Sequence, residues 1–526
     1  MQASKGDNPE FSRWRQFLWP IHRHELRKLI PMLVIFFLVS LDYNILRTMK
    51  DVLVVTTAKA SGAEVIPFIK VWAMFPGAVL MTYLYTKLSN RLSRERVIYT
   101  IFTLFLLFFA VFTFVLYPYR DAIHPTTSAD FLQNNLPESF KWVIAMYRNW
   151  IFTSFYVMSE MWSNIVLFLL FWGFANQVTR LNEAKRFYGL FGLGINLSGI
   201  FAGQLSVYCS RLPFNPALPF GEEAWDQSMF ILISIVLTAG IIAIYLFRWF
   251  NRTILSDPLY YDAESVRNDV KVKGKLSFKD NFSYLLKSPY MLSIAVIVIS
   301  YNVVINLVEV LWKHELRELY PVSSDYSIYM NQVSTIIGII ATLNAIFVSG
   351  NSIRKFGWTF TALLTPIILL VTSVGFFAYF FMKEYQLSWS MITFGLDPLV
   401  LVVFFGSAQN IMSRAAKYSV FDATKEMAFV PLDLESKMKG KAAIDGVCSR
   451  FGKSGGSFIH QTLLLKLGSF SASAPYVAAC LISIIVVWSA ATRFVGTKFL
   501  EMTNPQPKPI PFRNIDEDEL IEQKVS

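Results

Sequence analysis

Apolar runs near 20 residues long recur along this chain, and that is the length a helix needs to cross about 30 Å of hydrocarbon. A bilayer offers no water to satisfy a bare backbone, so runs of this kind are predicted to span as helices. They fall near residues 29–49, 66–88, 97–117, 143–176, 187–208, 229–249, 290–312, 333–349, 358–382, 389–412, 442–465 and 476–494. The expectation is a membrane protein of twelve transmembrane helices. Composition agrees, since 54% of the 526 residues are hydrophobic, only 16% are charged, and the mean hydropathy is +0.44. An ordinary soluble protein is excluded.

Lys and Arg exceed Asp and Glu by 48 to 37, a formal charge of +11. A nucleic-acid partner would need a basic patch, but here the positive charges lie between apolar runs, so no nucleic acid is expected. With both termini cytoplasmic, the ends and the loops after helices 2, 4, 6, 8 and 10 hold 34 of the 48 basic residues. The outer loops hold nine, Lys313 among them, and the positive-inside rule is satisfied. Arg13, Arg15, Arg23, Arg27 and Lys28 precede the first helix with no small-residue cleavage site after it, so no processing is expected. The chain is then organised as a cytoplasmic segment (1–28), a first half (29–250), a basic cytoplasmic linker (251–288), a second half (289–494) and a cytoplasmic tail (495–526). Cys209, Cys448 and Cys480 are too scattered for a disulfide framework or a metal site and read as packing residues.

The halves carry a weak repeat. Tyr43-Asn44 followed by Asp51-Val52-Leu53 matches Tyr301-Asn302 followed by Glu309-Val310-Leu311 at an offset of 258. Gly189, Gly199 and Gln204 match Gly446, Gly456 and Gln461 at an offset of 257. Duplicated halves point to a transporter that binds substrate between its repeats and works by alternating access.

A charge at mid-bilayer costs at least about 2.5 to 3.5 kcal/mol, so polar residues inside the runs outline a site. Tyr43, Arg47 and Lys50 share one helical face at i, i+4 and i+7. Arg47 has the alternative of snorkelling to the interface. Glu160 sits deep in the fourth run, with Tyr156 and Asn164 one turn to either side. Asn302, Asn306, Glu309 and Lys313 form a polar seam, in which a Glu309 to Lys313 pair is the purely structural reading. Arg450 and Lys453 lie within a stretch from Gly446 to Gly456, where glycine lets a ligand or a backbone come close. That stretch is no phosphate-binding P-loop, because five residues separate Gly446 from Gly452 where four are required, and no strand precedes it. Together Arg47, Lys50, Arg450 and Lys453 suit a multiply charged anion, and Tyr43, Tyr156 or Tyr301 suits a flat ring. A phosphorylated aromatic metabolite fits both.

Longer strings are more specific: Arg47-Thr48-Met49-Lys50-Asp51, Phe171-Trp172-Gly173-Phe174-Ala175-Asn176, Glu183-Ala184-Lys185-Arg186-Phe187-Tyr188 and Phe451-Gly452-Lys453-Ser454-Gly455-Gly456. With these the chain, from about Phe17 to Phe494, resembles the ATP/ADP translocase family of nucleotide transporters found in chlamydiae, rickettsiae and plastids. The resemblance implies an all-α fold of twelve transmembrane helices in two six-helix halves, arranged like the major facilitators, that moves nucleotides without hydrolysing them. It also implies roles for Lys50, Glu160, Glu309 and Lys453. Family members that exchange ATP for ADP commonly read Arg-Asp-Thr-Lys-Asp where this chain has Arg47-Thr48-Met49-Lys50-Asp51, so substrate choice stays open.

The leading expectation is a nucleotide antiporter, not an enzyme and without a cofactor, acting as a monomer in a bacterial inner membrane. ATP and ADP are the expected partners, with other nucleoside triphosphates, phosphate and protons as alternatives. A proton-driven importer is the nearest rival. A membrane transferase is a distant one, because the five histidines are scattered and no acid, base or metal cluster accompanies them.

Overall fold

The computed structural model describes residues 21–57, 62–179, 181–257, 260, 288–347, 349–385, 395–432, 440, 444 and 448–503. The segment before residue 21, nearly all of the linker beyond 257, Gly446 and the tail beyond 503 lie outside them. Helices occupy all twelve expected positions, and no strand is found among the described residues. They are α1 (Arg23–Thr57), α2 (Val65–Arg91), α3 (Arg94–Leu116), α4 (Trp150–Val178), α5 (Leu181–Ser210) and α6 (Ala224–Thr253) in the first half. The second half holds α7 (Pro289–Leu319), α8 (Ser323–Phe347), α9 (Ser349–Glu384), α10 (Pro398–Ala428), α11 (Ser449–Leu467) and α12 (Phe470–Thr503). Among the described residues ten of these are long and apolar enough to cross a membrane, which makes this a multi-pass membrane protein. In α11 the apolar run is broken by polar residues such as Arg450 and Lys453.

Aromatic side chains fill the interior of each half. Trp162 in α4 is fully buried among Phe102, Phe105 and Phe109 of α3, and its indole N–H donates to the Val39 carbonyl of α1 at 3.2 Å. In the second half Trp488 stands edge-on to Tyr301 and Phe421, while Trp312 donates to the Ser407 hydroxyl at 3.1 Å. Both arrangements bury a large apolar surface and satisfy the indole N–H.

The repeat seen in the sequence is a packing repeat. Helix α1 lies on α5, where the Asn44 amide sits over Gly199. Helix α7 lies on α11, where Asn302 and Asn306 sit over Gly452 and Gly456. Between the halves the main seam is α5 against α8: a β-carbon at Gly203 would meet the Asn331 carbonyl at 2.9 Å. Glycine is what permits so close a crossing.

Several boundaries move outward from the apolar runs. Helix α10 continues past residue 412 to Ala428 through a wide, π-type turn at Lys417–Phe421, so Arg414 and Lys417 belong to a helix inside the bundle and not to a cytoplasmic loop. Lys313 is likewise no loop residue, since α7 carries it into the interior at 1% exposure. Apolarity alone ends a predicted span at the first charge, whereas a charge with a partner is accommodated inside.

Candidate functional site

Midway between the two halves a chain of alternating charges crosses the bundle. Glu160 of α4 lies 3.1 Å from the Lys50 ammonium of α1, and Lys50 lies 3.1 Å from Asp51 Oδ1. The other oxygen of Asp51 is 2.8 Å from the ammonium of Lys313, on α7 in the opposite half. Lys313 lies 3.0 Å from Glu309, and Glu309 accepts from the Arg414 guanidinium of α10 at 2.9 Å. Three cations and three carboxylates are thus joined in one neutral line. Burial in hydrocarbon is what forces this, because an isolated ion loses its hydration there and a paired one recovers most of it.

Exposure falls toward the middle of the line and rises again at both ends. Lys50, Asp51 and Lys313 are sealed, at 2 to 4% of their side-chain surface, whereas Glu160 keeps 26% and Glu309 17%. The Tyr156 ring lies 3.9 Å beneath the Lys50 ammonium, which fixes that lysine from below. A pocket with only about 20 Å³ of free space remains beside the line, lined by Arg47, Asp51, Glu309, Asn410 and Arg414.

Three further cations stand around this neutral line without an ion-pair partner among the described residues: Arg47, Lys70 and Lys453. The ammonium of Lys70 donates to the Asn306 side-chain oxygen at 3.3 Å. The Asn306 amide in turn donates to the Lys453 carbonyl at 2.9 Å, tying α2, α7 and α11 together. The Lys453 side chain is exposed, yet close enough to Glu160 for its charge to act there. Surplus positive charge therefore borders the line on both halves.

Most of the residues singled out from the sequence meet at this level. Lys50, Glu160, Glu309, Arg47, Tyr156, Asn306 and the Lys453 backbone are in it or touch it, and Tyr43 is half-buried on the same face of α1 as Arg47. Others turn elsewhere. Asn302 donates to the Val298 carbonyl and Asn164 to the Glu160 carbonyl, each within its own helix. Arg450 is exposed one turn before Lys453 and forms no ion pair among the described residues. Tyr301 is fully buried against Phe421 at 4.7 Å, and one face of Tyr156 is covered by Lys50, so of the three candidate platforms only Tyr43 is more than slightly exposed. Sequence reasoning missed Asp51, Arg414 and Lys70 as members. The signal for Lys70 was its place inside an apolar run, whereas Asp51 was visible only as the repeat partner of Glu309.

The end of the bundle opposite the termini is held shut across the halves. The Thr56 hydroxyl donates to the Ser323 hydroxyl at 2.9 Å, and the Ser210 and Ser327 hydroxyls lie 3.0 Å apart. Glu64, in the turn before α2, lies 3.2 Å from His314 of α7. Burial pushes the Glu64 carboxyl up, but the hydrogen bond and charge of His314, with Arg317 nearby, outweigh it and hold the group below the ordinary carboxylate range. A roomier pocket, about 550 Å³, lies away from all these charges and is lined by apolar residues such as Phe114, Phe230 and Ile235.

Comparison with known proteins gives concordant results. A family model described as TLC ATP/ADP transporter matches residues 4–499. The chain is 46% identical over 490 residues to ADP,ATP carrier protein 1 of Chlamydia muridarum, covering 93% of this chain and 92% of that one. It is 42% identical over 474 residues to the chloroplastic ADP,ATP carrier protein 2 of Arabidopsis thaliana, covering 90% and 75%. In fold it is similar to the inward-open xylose transporter XylE of E. coli, with a TM-score of 0.53, 12% identity, and 90% and 96% of the two chains covered. A bacterial homologue of the iron transporter ferroportin gives 0.51 at 13% identity, covering 92% and 100%.

Proposed function

Because the chain belongs to the TLC ATP/ADP transporter family, we propose that it exchanges ATP and ADP across a membrane by alternating access between its two halves. The observation that carries this reading is the surplus of Arg47, Lys70 and Lys453 around a line that is already neutral. Unpaired cations in a membrane interior are costly unless an anion completes them, and a nucleotide's phosphates supply that anion. Lys50 and Lys453 take phosphate oxygens, one from each half, so the ligand bridges the halves. Tyr43 is the aromatic face available to the base. Glu160 and Glu309 hold the cations when no ligand is present and share them with its phosphates when it arrives. No covalent step is involved, and the relatives named above are carriers.

The termini and the basic linker face the cytoplasm of a bacterial cell, twelve helices cross its inner membrane, and the monomer carries a complete site. The divisions near residues 28, 250, 288 and 494 are the segment boundaries of this arrangement. Uptake of labelled ATP into proteoliposomes tests the exchange: it is expected to require ADP or ATP inside. Equal uptake by vesicles without internal nucleotide, driven by an inward proton gradient, would establish the proton-coupled importer instead. One observation favours keeping that second reading. Asp42 of α1 is fully buried, and neither of its oxygens has a hydrogen-bond partner among the described residues, which makes it a titratable group in the interior that nucleotide exchange does not use.

A further inference from the structure

Asp51 is the one carboxylate of the line that joins the two halves. Its Oδ1 lies 3.1 Å from Lys50 of its own half, and its Oδ2 lies 2.8 Å from Lys313 of the other. Asp51 and Glu309 occupy equivalent positions of the repeat, and Lys313 is clasped between them. We propose that Asp51 is a stand-in for a phosphate group on Lys313, and that the exchange of one for the other is what makes transport an obligatory exchange; this rests on the nucleotide reading above.

The argument is one of partners. Lys313 and Asp51 are sealed from solvent, so neither can turn to water when α1 and α7 part. A carrier with no ligand that opens its outer end must pull Lys313 away from Asp51, so that each buried ion loses one of its two partners and is left with Glu309 or Lys50 alone, which is a barrier. A phosphate oxygen is an anion of the same charge type and takes the same ammonium through charge-assisted hydrogen bonds. With phosphate on Lys313, that ion keeps two anionic partners while the halves separate, and Asp51 keeps Lys50. The loaded carrier then crosses readily and the empty one does not. The remaining pair of Lys313, with Glu309, lies within α7 and moves with it, so it opposes nothing. Asp51 is therefore a positioning and coupling residue, and Lys313 a ligand of the phosphates presented by the second half.

The test compares two fluxes of ATP in proteoliposomes, one into vesicles loaded with ADP and one into vesicles without nucleotide. For the wild type the first is expected to exceed the second by at least about tenfold, within the span typical of coupling between two sites. In Asp51→Asn the ratio is expected to collapse toward one because the empty carrier returns freely, and Asp51→Glu should restore most of it. A merely structural Asp51 would lower both fluxes together and leave the ratio unchanged, and that result overturns the inference. If the Asn variant does not fold, spin labels at positions 56 and 323 in an otherwise wild-type protein report the outer end directly. They are expected to separate on adding ATP and not in its absence, and separation without ATP overturns the inference. A wild type that exchanges no nucleotide at all would fail the functional reading itself, a distinguishable outcome.

Discussion

Lys453 offers the cleanest test of phosphate binding by a single residue. Its side chain is exposed and has no ion-pair partner among the described residues, so Lys453→Ala removes a ligand contact without opening a buried pair. A lost charge-assisted hydrogen bond is worth about 1.5 to 3 kcal/mol, so nucleotide affinity should fall roughly 10- to 150-fold with the melting temperature unchanged. Titration calorimetry on the purified protein checks both halves of this, and Lys453→Arg should recover only part because its planar fork has a different shape. The two glutamates are expected to differ. Glu309→Gln weakens the hold on both Lys313 and Arg414, and a buried pair broken on one side costs about 3 to 5 kcal/mol. Glu160→Gln breaks one direct ion pair, that with Lys50, which Asp51 still holds, so the loss in thermal stability should be smaller while turnover in liposomes drops. If Glu160→Gln binds no nucleotide, that carboxylate touches the ligand and does not gate.

At the level of helices, close approach is decided by glycine, and two glycines on the same helix allow it to be measured. A β-carbon on Gly452 would lie 2.8 Å from the Ile299 carbonyl of α7, backbone that cannot yield cheaply, whereas at Gly455 the nearest neighbour is Val303 at 3.7 Å. Gly452→Ala should therefore lose about 1 to 3 kcal/mol through overpacking. Gly455→Ala should be neutral or gain up to about 1 kcal/mol, since alanine favours helix. Thermal unfolding in detergent separates them, and equal effects would mean that α7 and α11 do not cross here. The stretch from Gly446 to Gly456 was noticeable in the sequence, but nothing in it distinguished a glycine that faces a helix from one that faces open space. Similarly, nothing in the run Lys417-Tyr418-Ser419-Val420-Phe421 announces a wide turn, because a π-type turn is stabilised by what packs on it and has no residue signature of its own.

For the whole molecule, movement of one half against the other requires the end opposite the termini to open. The Thr56 and Ser323 hydroxyl oxygens are 2.9 Å apart, so the two side chains meet across the halves and cysteines in their places are expected to cross-link on oxidation. In a background lacking the native thiols Cys209, Cys448 and Cys480, Thr56→Cys with Ser323→Cys should transport when reduced, stop when oxidised and resume with reductant. Undiminished uptake by the oxidised, cross-linked form would mean that this end does not open. The sequence by itself determined that the chain spans a membrane, where its helices lie, that it is built from two related halves, and that Lys50, Glu160 and Glu309 belong to one polar interior. All of that follows from rules local to the chain, since hydrocarbon permits only helices and makes every unpaired charge conspicuous. Which charge meets which was decided by the tertiary structure alone. Asp51 reaches Lys313 across 262 positions only because the two halves are docked, and Arg414 reaches Glu309 only because α10 runs on beyond its apolar stretch. An ion pair is a property of two positions in space, and no spacing along the chain encodes the angle at which two halves meet.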